Sequence, residues 1–193
     1  MPRSIVDRAT IHEFLVRLGA ASHSPALVYL IGATSQVFEG WRDYAEQLEF
    51  SVELASEERT AFQEVVRDLQ TRMEIRLSEE SPGDVIPLPA GYADRVRPIG
   101  KVSFGQLRVH HFDPYSVAFR LIVRGDEQDY SVVLTFLQHD WLRVDEMNSL
   151  LTDLLPRFSS ETIQQDPAEF RRKFKGLLQM WHAARARQSQ ATF

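Results

Sequence analysis

The stretch QLEFSVEL at residues 47–54 carries a dense set of groups able to do chemistry. Leu48, Phe50, Val52 and Leu54 alternate there with Gln47, Glu49, Ser51 and Glu53. Period two predicts a strand with one buried face and one polar face, and side chains two apart then point the same way. Gln47 and Glu49 therefore share one face. Glu53 shares their face but lies about 13 Å from Glu49 at roughly 3.3 Å per residue, too far to hold the same ion. The same four polar residues also read as the solvated face of an amphipathic strand. His110 and His111 are adjacent, so on a strand they face opposite ways and cannot easily chelate one metal. They read as a strand edge with one inward histidine. Arg120 and Arg124 are four apart and share a helix face, suited either to a phosphate or to an ion pair with Asp129. Arg171, Arg172, Lys173 and Lys175 form a basic run that reads as a solvated helix face. A nucleic-acid or partner contact is the minor alternative there. Phe170, Phe174 and Trp181 at spacings of four and seven read as a core-facing stripe rather than a base-stacking platform. His139 and His182 read as lone histidines near helix C-termini, where a cation is mildly favourable. Ser, His and Asp are present, but no Gly-x-Ser-x-Gly elbow supports a hydrolase triad.

Composition narrows the classes. The 193 residues are 44% hydrophobic and 25% charged, ordinary globular values for one domain or a small core with an appendage. The chain has no cysteine, which excludes disulfide scaffolds, thiolate zinc sites, iron–sulfur clusters and cysteine nucleophiles. A net charge of −5 argues against a general polyanion binder. The segment from Asp166 onward nevertheless holds six basic residues against Asp166 and Glu169. The opening MPRSIVDRATIHEF reads as no signal peptide, because Asp7 and Glu13 interrupt it. The longest apolar run, residues 26–33, is too short to cross a bilayer, which takes about 20 residues. The expected location is the cytoplasm, with no membrane partner.

The elements that position these groups follow from periodicity. Residues 4–20 predict a helix, with Thr10 and Glu13 as a capping box inside it. Residues 26–33 predict a buried strand ended by Gly32, and 34–39 a short helix. After the strand at 47–54, residues 57–78 predict a long helix with Ser56 as N-cap. Its apolar stripe is Phe62, Val65, Val66, Leu69, Met73 and Leu77. Between 81 and 113, strand-like runs stand at 84–88, 95–99 and 106–112. Helices are predicted at 114–124, 127–139, 144–156 and 166–186, the last opened by Asp166–Pro167. Residues 186–193 are expected to fray. The order is that of a small α+β core, residues 1–113, followed by a helical subdomain, residues 114–193.

Nucleotidyltransferases of the polymerase-β type place a strand before a Gly-Gly or Gly-Ser turn and a short helix, with Asp-x-Asp on the next strand. The two carboxylates share Mg²⁺ ions that bridge the triphosphate and the attacking oxygen. The turn admits the phosphates. LVYLIGATSQVFEGWRDYAEQLEFSV (27–52) resembles that arrangement. It is similar to a subgroup of minimal, largely uncharacterised nucleotidyltransferase-like proteins, in which Gly32, Gly40, Arg42 and Asp43 have counterparts. LPAGYADRVRPI (88–99) resembles the Leu-Pro-x-x-(aromatic)-x-x-Arg segment of the same subgroup. LRVHHFDPYSVAFRLIVRGDEQDYSVV (107–133) resembles its Asp-Pro-x-Asp-Leu-Ala block through Asp113, Pro114, Ala118, Leu121, Arg124, Gly125 and Asp129. The resemblance covers about residues 27–150.

The departures fall on the catalytic positions. The second glycine of the turn is Ala33, the threonine before the acids is Ala45, and the family lysine is Arg120. The two metal-binding aspartates are Gln47 and Glu49. A neutral amide offers an oxygen but no charge, and Glu49 is one methylene longer than aspartate. The resemblance implies a nucleotidyltransferase-like mixed sheet flanked by helices. It implies nucleotide binding at Gly32, Ala33, Thr34, Ser35, Arg42, Arg120 and Arg124, with Glu49 beside Gln47 as the remnant of the catalytic motif. The expected protein is a nucleotidyltransferase relative with little or no transfer activity that retains nucleotide or RNA-end binding. No metal site and no cofactor are expected, Mg²⁺ entering only if the enzyme is active. One alternative is an active metal-dependent transferase using Glu49. Another is an interaction or regulatory subunit, such as a toxin–antitoxin component. A protein partner, or a homodimer through the C-terminal helices, fits the last, and a nucleic-acid partner is left open.

Overall fold

Segments 26–30, 48–53 and 107–111 meet side by side in one sheet, each burying alternate side chains on the same face. The computed structural model describes residues 5–100, 103–158 and 165–190. The chain is α+β. It divides into two compact units, the first running to Ser81 and resuming at Arg95–Asp113, the second formed by Pro82–Asp94 and the chain from Pro114 onward. The sequence reading drew one boundary, after residue 113.

The first unit contains β1 (Val6–Asp7), α1 (Arg8–Ala21), β2 (Ala26–Leu30), α2 (Gly32–Glu39), β3 (Tyr44–Ala45), β4 (Leu48–Glu53), α3 (Arg59–Met73), β5 (Leu77–Glu79), β6 (Arg97–Pro98) and β7 (Leu107–His111). The main sheet has the order β5-β4-β2-β7-β6, and β1 pairs separately with β3. β2 runs antiparallel to β4 and parallel to β7. One face of the sheet presents Val28, Leu30, Leu48, Phe50, Val52, Leu107 and Val109, all buried with Phe14, Leu15 and Leu18 of α1 and Phe62 and Leu69 of α3. The Phe14 and Phe50 ring centroids lie 5.8 Å apart. Alternation then sends Tyr29, Glu49, Ser51, Glu53, Arg108 and His110 to the opposite face, where Tyr29 is paired with Ser51 on one side and His110 on the other.

Several local expectations change. α1 starts at Arg8, and its cap is Asp7, whose Oδ1 accepts from the Thr10 backbone N–H at 2.8 Å and from the Thr10 hydroxyl at 2.7 Å. Thr10 is thus the third residue of the turn that Asp7 caps, not the start of a box with Glu13. The long helix after β4 begins as a 3₁₀ turn, Ser56–Glu58, and Ser56 makes no cap bond. It ends at Met73, because Glu74 turns left-handed at φ 52°. Leu77 therefore belongs to β5, and the strand expected at 84–88 is absent, a 3₁₀ turn occupying Pro82–Asp84. β7 is no sheet edge, since β6 pairs along its outer side.

His111 points into the core face and its Nε2 lies 2.8 Å from Glu39 Oε1. That bond, followed by the His111, Arg8 and Arg97 charges, outweighs burial and holds the Glu39 carboxyl below its usual 4.5. A carboxylate lowered in the folded state stabilises the fold above the unfolded value, and that contribution disappears as pH falls through the folded value. The stability difference between wild type and Glu39→Gln is therefore expected to be present at pH 7 and to vanish progressively below about pH 4.5. Urea unfolding at a series of pH values checks this. A difference that is constant across the series contradicts it.

The second unit contains α4 (Pro114–Arg124), α5 (Glu127–Gln138), α6 (Val144–Leu154), a 3₁₀ turn at Leu155–Phe158 and α7 (Pro167–Gln190). All four helices fall where periodicity puts them. Phe170 is stacked edge-on against Phe119 and Phe158, and Phe136 lies flat on Trp141. Asp166 Oδ1 accepts from the Ala168 N–H at 2.8 Å, the cap read from Asp166–Pro167. α7 continues to Gln190 through residues expected to fray, and residues 191–193 lie outside the described part. His182 therefore sits inside α7 rather than near its end, whereas His139 is the C-cap of α5. Phe170 and Phe174 are buried and Trp181 is half-buried, while Arg171, Arg172 and Lys175 are exposed. Lys173 instead reaches the Val123 carbonyl and lies 3.2 Å from Glu169. No helix among the described residues is long and apolar enough to cross a membrane.

Candidate functional site

The site is assembled where β2 gives way to α2. Ile31 is the last extended residue, and Gly32 turns left-handed at φ +56° to open the helix. No side chain caps that helix end. The reason for glycine is also steric. A Cβ at residue 32 would stand 2.8 Å from Glu49 Oε2. The Glu49 carboxylate thus lies directly over the turn.

Three further bonds fix Glu49 there. Its backbone N–H donates to Thr34 Oγ1 at 2.7 Å, its carbonyl accepts from the Ile31 N–H at 3.2 Å, and its Oε1 accepts from Gln47 Nε2 at 3.1 Å. Gln47 therefore presents its amide N–H₂, not its oxygen, toward the carboxylate. Next along the face, Glu53 Oε1 accepts from the Tyr29 hydroxyl at 3.2 Å. The Tyr29 ring packs edge-on against Phe112 at 5.0 Å and lies 6.3 Å from His110. Burial, then the Arg108 and His111 charges, pushes the His110 imidazole below its usual value, so it is neutral at pH 7. Its Nδ1 is buried without a hydrogen-bond partner.

The sequence-predicted residues divide by place. Gly32, Ala33, Thr34 and Ser35 form the first turn of α2, next to Glu49 and Gln47. Thr34 and Ser35 are buried and Ala33 is half-buried. Arg42 is half-buried in the loop after α2, and its Nε donates to the Tyr44 carbonyl at 2.9 Å. Arg120 and Arg124 belong to α4 of the second unit. Arg124 forms a two-pronged pair with Asp129, with Nε to Oδ2 at 3.0 Å. This is the ion pair with Asp129 that the spacing allows for Arg124. Sequence reasoning passed over Tyr29, Arg108 and His110 as members of the Glu49 face. The β2–β4 and β2–β7 register, which alternation within one strand does not give, brings them there.

Two divalent ions sharing a triphosphate need several anionic oxygens converging in octahedral geometry. The residues present do not fit such ions. Gln47 brings no charge, Glu53 accepts a hydrogen bond from Tyr29, and β7 adds Arg108 and His110, not a carboxylate, to this face. Among the described residues, no group of three His, Asp or Glu side chains is placed to hold a metal. The arrangement can offer an anion the small-residue turn at Gly32, but only after Glu49 swings away. Comparison with protein-family models, with curated proteins and with solved structures finds no match.

Proposed function

We propose that this chain is a nucleotidyltransferase-fold protein that has lost all or nearly all metal-dependent transfer and binds a nucleotide or an RNA end at the Gly32 turn. One observation carries the proposal. The single carboxylate left at the motif positions, Glu49, lies over the turn at Gly32 with an amide, Gln47, as its nearest companion. The order of elements supports the ancestry: a strand, a glycine turn, a short helix and an antiparallel strand bearing the acid. The phosphate contacts are assigned to the Gly32–Ser35 turn, with Arg42 as the cation of the same unit available to the rest of the ligand.

A ligand that binds the folded state raises its melting temperature by mass action. Each of the four nucleoside triphosphates is therefore tested by thermal shift, with Mg²⁺ and with EDTA. Stabilisation by at least one of them, the same in both buffers, is the expected result. Binding that requires Mg²⁺, with nucleotide transfer that Glu49→Ala abolishes, overturns the inactive reading. No shift with any nucleotide or with a short RNA overturns binding, and leaves the interaction-subunit alternative.

A further inference from the structure

The last helix, α7, carries a charged surface in the second unit that the Gly32 turn does not use. Between Phe170 and Gln190 stand six cations, Arg171, Arg172, Lys173, Lys175, Arg185 and Arg187, and no aspartate or glutamate, in a chain whose net charge is −5. The helix has 24 residues and is about 36 Å long at roughly 1.5 Å per residue. Its apolar stripe, Phe170, Phe174 and Leu177, is buried. Beyond Leu177, no residue up to Gln190 is buried.

At roughly 100° per residue, Arg171, Lys175, His182 and Arg185 fall within about 80° of arc, and Gln179 flanks them. All five are exposed. The three permanent cations of this stripe are spread over about 21 Å of the helix axis. Arg171 and Lys175 make no hydrogen bond or ion pair among the described residues. Glu169, the nearest acid, is taken up elsewhere, by Lys173 at 3.2 Å and Arg172 at 3.9 Å. The Arg185 guanidinium lies over the Trp181 ring, 5.8 Å from its centroid. That contact orders a side chain whose freedom would otherwise be lost on binding.

A row of cations with no acid beside it is complementary to a row of negative charge on another molecule. A second copy of the chain presents the same sign, so self-pairing through this face is opposed. A lipid surface takes up an apolar helix face, and that of α7 is buried. A protein interface is built around apolar or aromatic anchors. Here the exposed side chains among the cations are Gln179 and His182, and the exposed Met180 lies on the opposite side of the helix. We infer that this face of α7 binds single-stranded RNA along its sugar–phosphate backbone. Arg171, Lys175 and Arg185 neutralise phosphates, and Gln179 and His182 stand between them, where ribose 2′-hydroxyls offer both donor and acceptor. A single strand is flexible enough to follow a straight row of cations, whereas the phosphates of a duplex wind away from it.

The probe is a fluorescein-labelled uridylate dodecamer, titrated with the full chain and followed by anisotropy. Single-strand affinity falls with salt at a log–log slope of about −0.7 per neutralised phosphate, so three contacts predict binding about twentyfold weaker at about 200 mM NaCl than at about 50 mM. The triple variant Arg171→Gln, Lys175→Gln, Arg185→Gln changes only exposed side chains. It is expected to melt with wild type, to bind at least about tenfold more weakly in the low-salt buffer and to lose the salt dependence. Arg67→Gln, Arg72→Gln, Arg76→Gln removes the same charge from exposed sites of the first unit and should bind within about twofold of wild type. The thymidine DNA of equal length, which lacks the 2′-hydroxyls, is expected to bind about threefold more weakly than the RNA, and a polyglutamate of equal length more weakly still. Because the readout is the change made by the α7 charges, it is independent of binding at the Gly32 turn. Absence of RNA binding by the wild type in low salt overturns the inference. So does an equal loss in the two triple variants, an unchanged salt slope in the α7 variant, or DNA or polyglutamate binding as tightly as RNA.

Discussion

Removing the Glu49 carboxylate is expected to tighten metal-free ATP binding by about ten- to a hundredfold. The direction follows from where the side chain lies. Its Oε2 would sit 2.8 Å from a Cβ built on Gly32, in the space that the approaching phosphates need. A unit negative charge about 4 Å from another repels it by roughly 4 kcal/mol at an effective dielectric of about 20. Glu49 is half-buried, so solvent and salt reduce that to about 1.4–2.7 kcal/mol. Two variants separate bulk from charge. Glu49→Gln removes the charge and keeps the size, and Glu49→Ala removes both. Isothermal titration in EDTA should rank their affinities Ala, then Gln, then wild type. The opposite ranking, with binding lost in both variants, would make Glu49 a direct contact of the nucleotide and overturn this prediction.

The second large effect concerns stability. Gly19→Ala is expected to lower the unfolding free energy by about 3 kcal/mol, even though alanine favours a helix by about 1 kcal/mol over glycine. A Cβ at Gly19 would lie 2.1 Å from the Phe104 carbonyl oxygen and 2.6 Å from its carbon. Those are backbone atoms, so no side-chain rotation relieves the clash. From the other side, a Cβ on Gly105 would come within 2.5 Å of the Gly19 oxygen, and Gly105 also has φ +62°. α1 must move off the turn that leads into β7, and the buried Phe104 ring, which packs against His12 at 5.6 Å, moves with it. Gly176→Ala, in α7, is the control. Nothing lies within 4 Å of its Cβ position, and it should stabilise by about 0.4–1 kcal/mol. In thermal melts, Gly19→Ala should fall about 6–12 °C at roughly 2–4 °C per kcal/mol. A Gly19→Ala protein that melts with wild type would mean that helix and turn separate freely.

The parts of this structure that the sequence reveals are those with a local cause. β4 was legible because burial of one sheet face imposes a strict alternation on Leu48, Phe50 and Val52. The helices of the second unit were legible because each has its own apolar stripe, and Asp166–Pro167 starts the last of them. β5 was hidden for the same kind of reason. Leu77 continues the 3.6-residue stripe of Leu69 and Met73, and only the left-handed turn at Glu74 separates it from the helix. The start of α1 offered two local signals, Asp7 with Thr10 and Thr10 with Glu13. The first prevails where β1 pairs with β3 and holds Asp7 extended. The glycine turn and Glu49 were singled out through the resemblance to the nucleotidyltransferase pattern, while alternation alone placed Glu49 on the polar face. Their closest contacts could not be read, because the Thr34 hydroxyl meets the Glu49 N–H across fifteen residues. Tyr29, Arg108 and His110 join them only through strand register.

The parallel pairing of β2 with β7 sets Ala26 beside Leu107 and Leu30 beside His111. One edge of the central strand thus waits for a partner about eighty residues further along, and closing so long a loop must precede any reward from its ladder. At roughly 5–20 residues per second, a ribosome leaves that apolar edge open for several seconds after β2 and β4 have emerged. Synthesis is therefore the period when this protein is most exposed to mispairing with another nascent chain, and chaperone demand should peak before residue 111 leaves the exit tunnel.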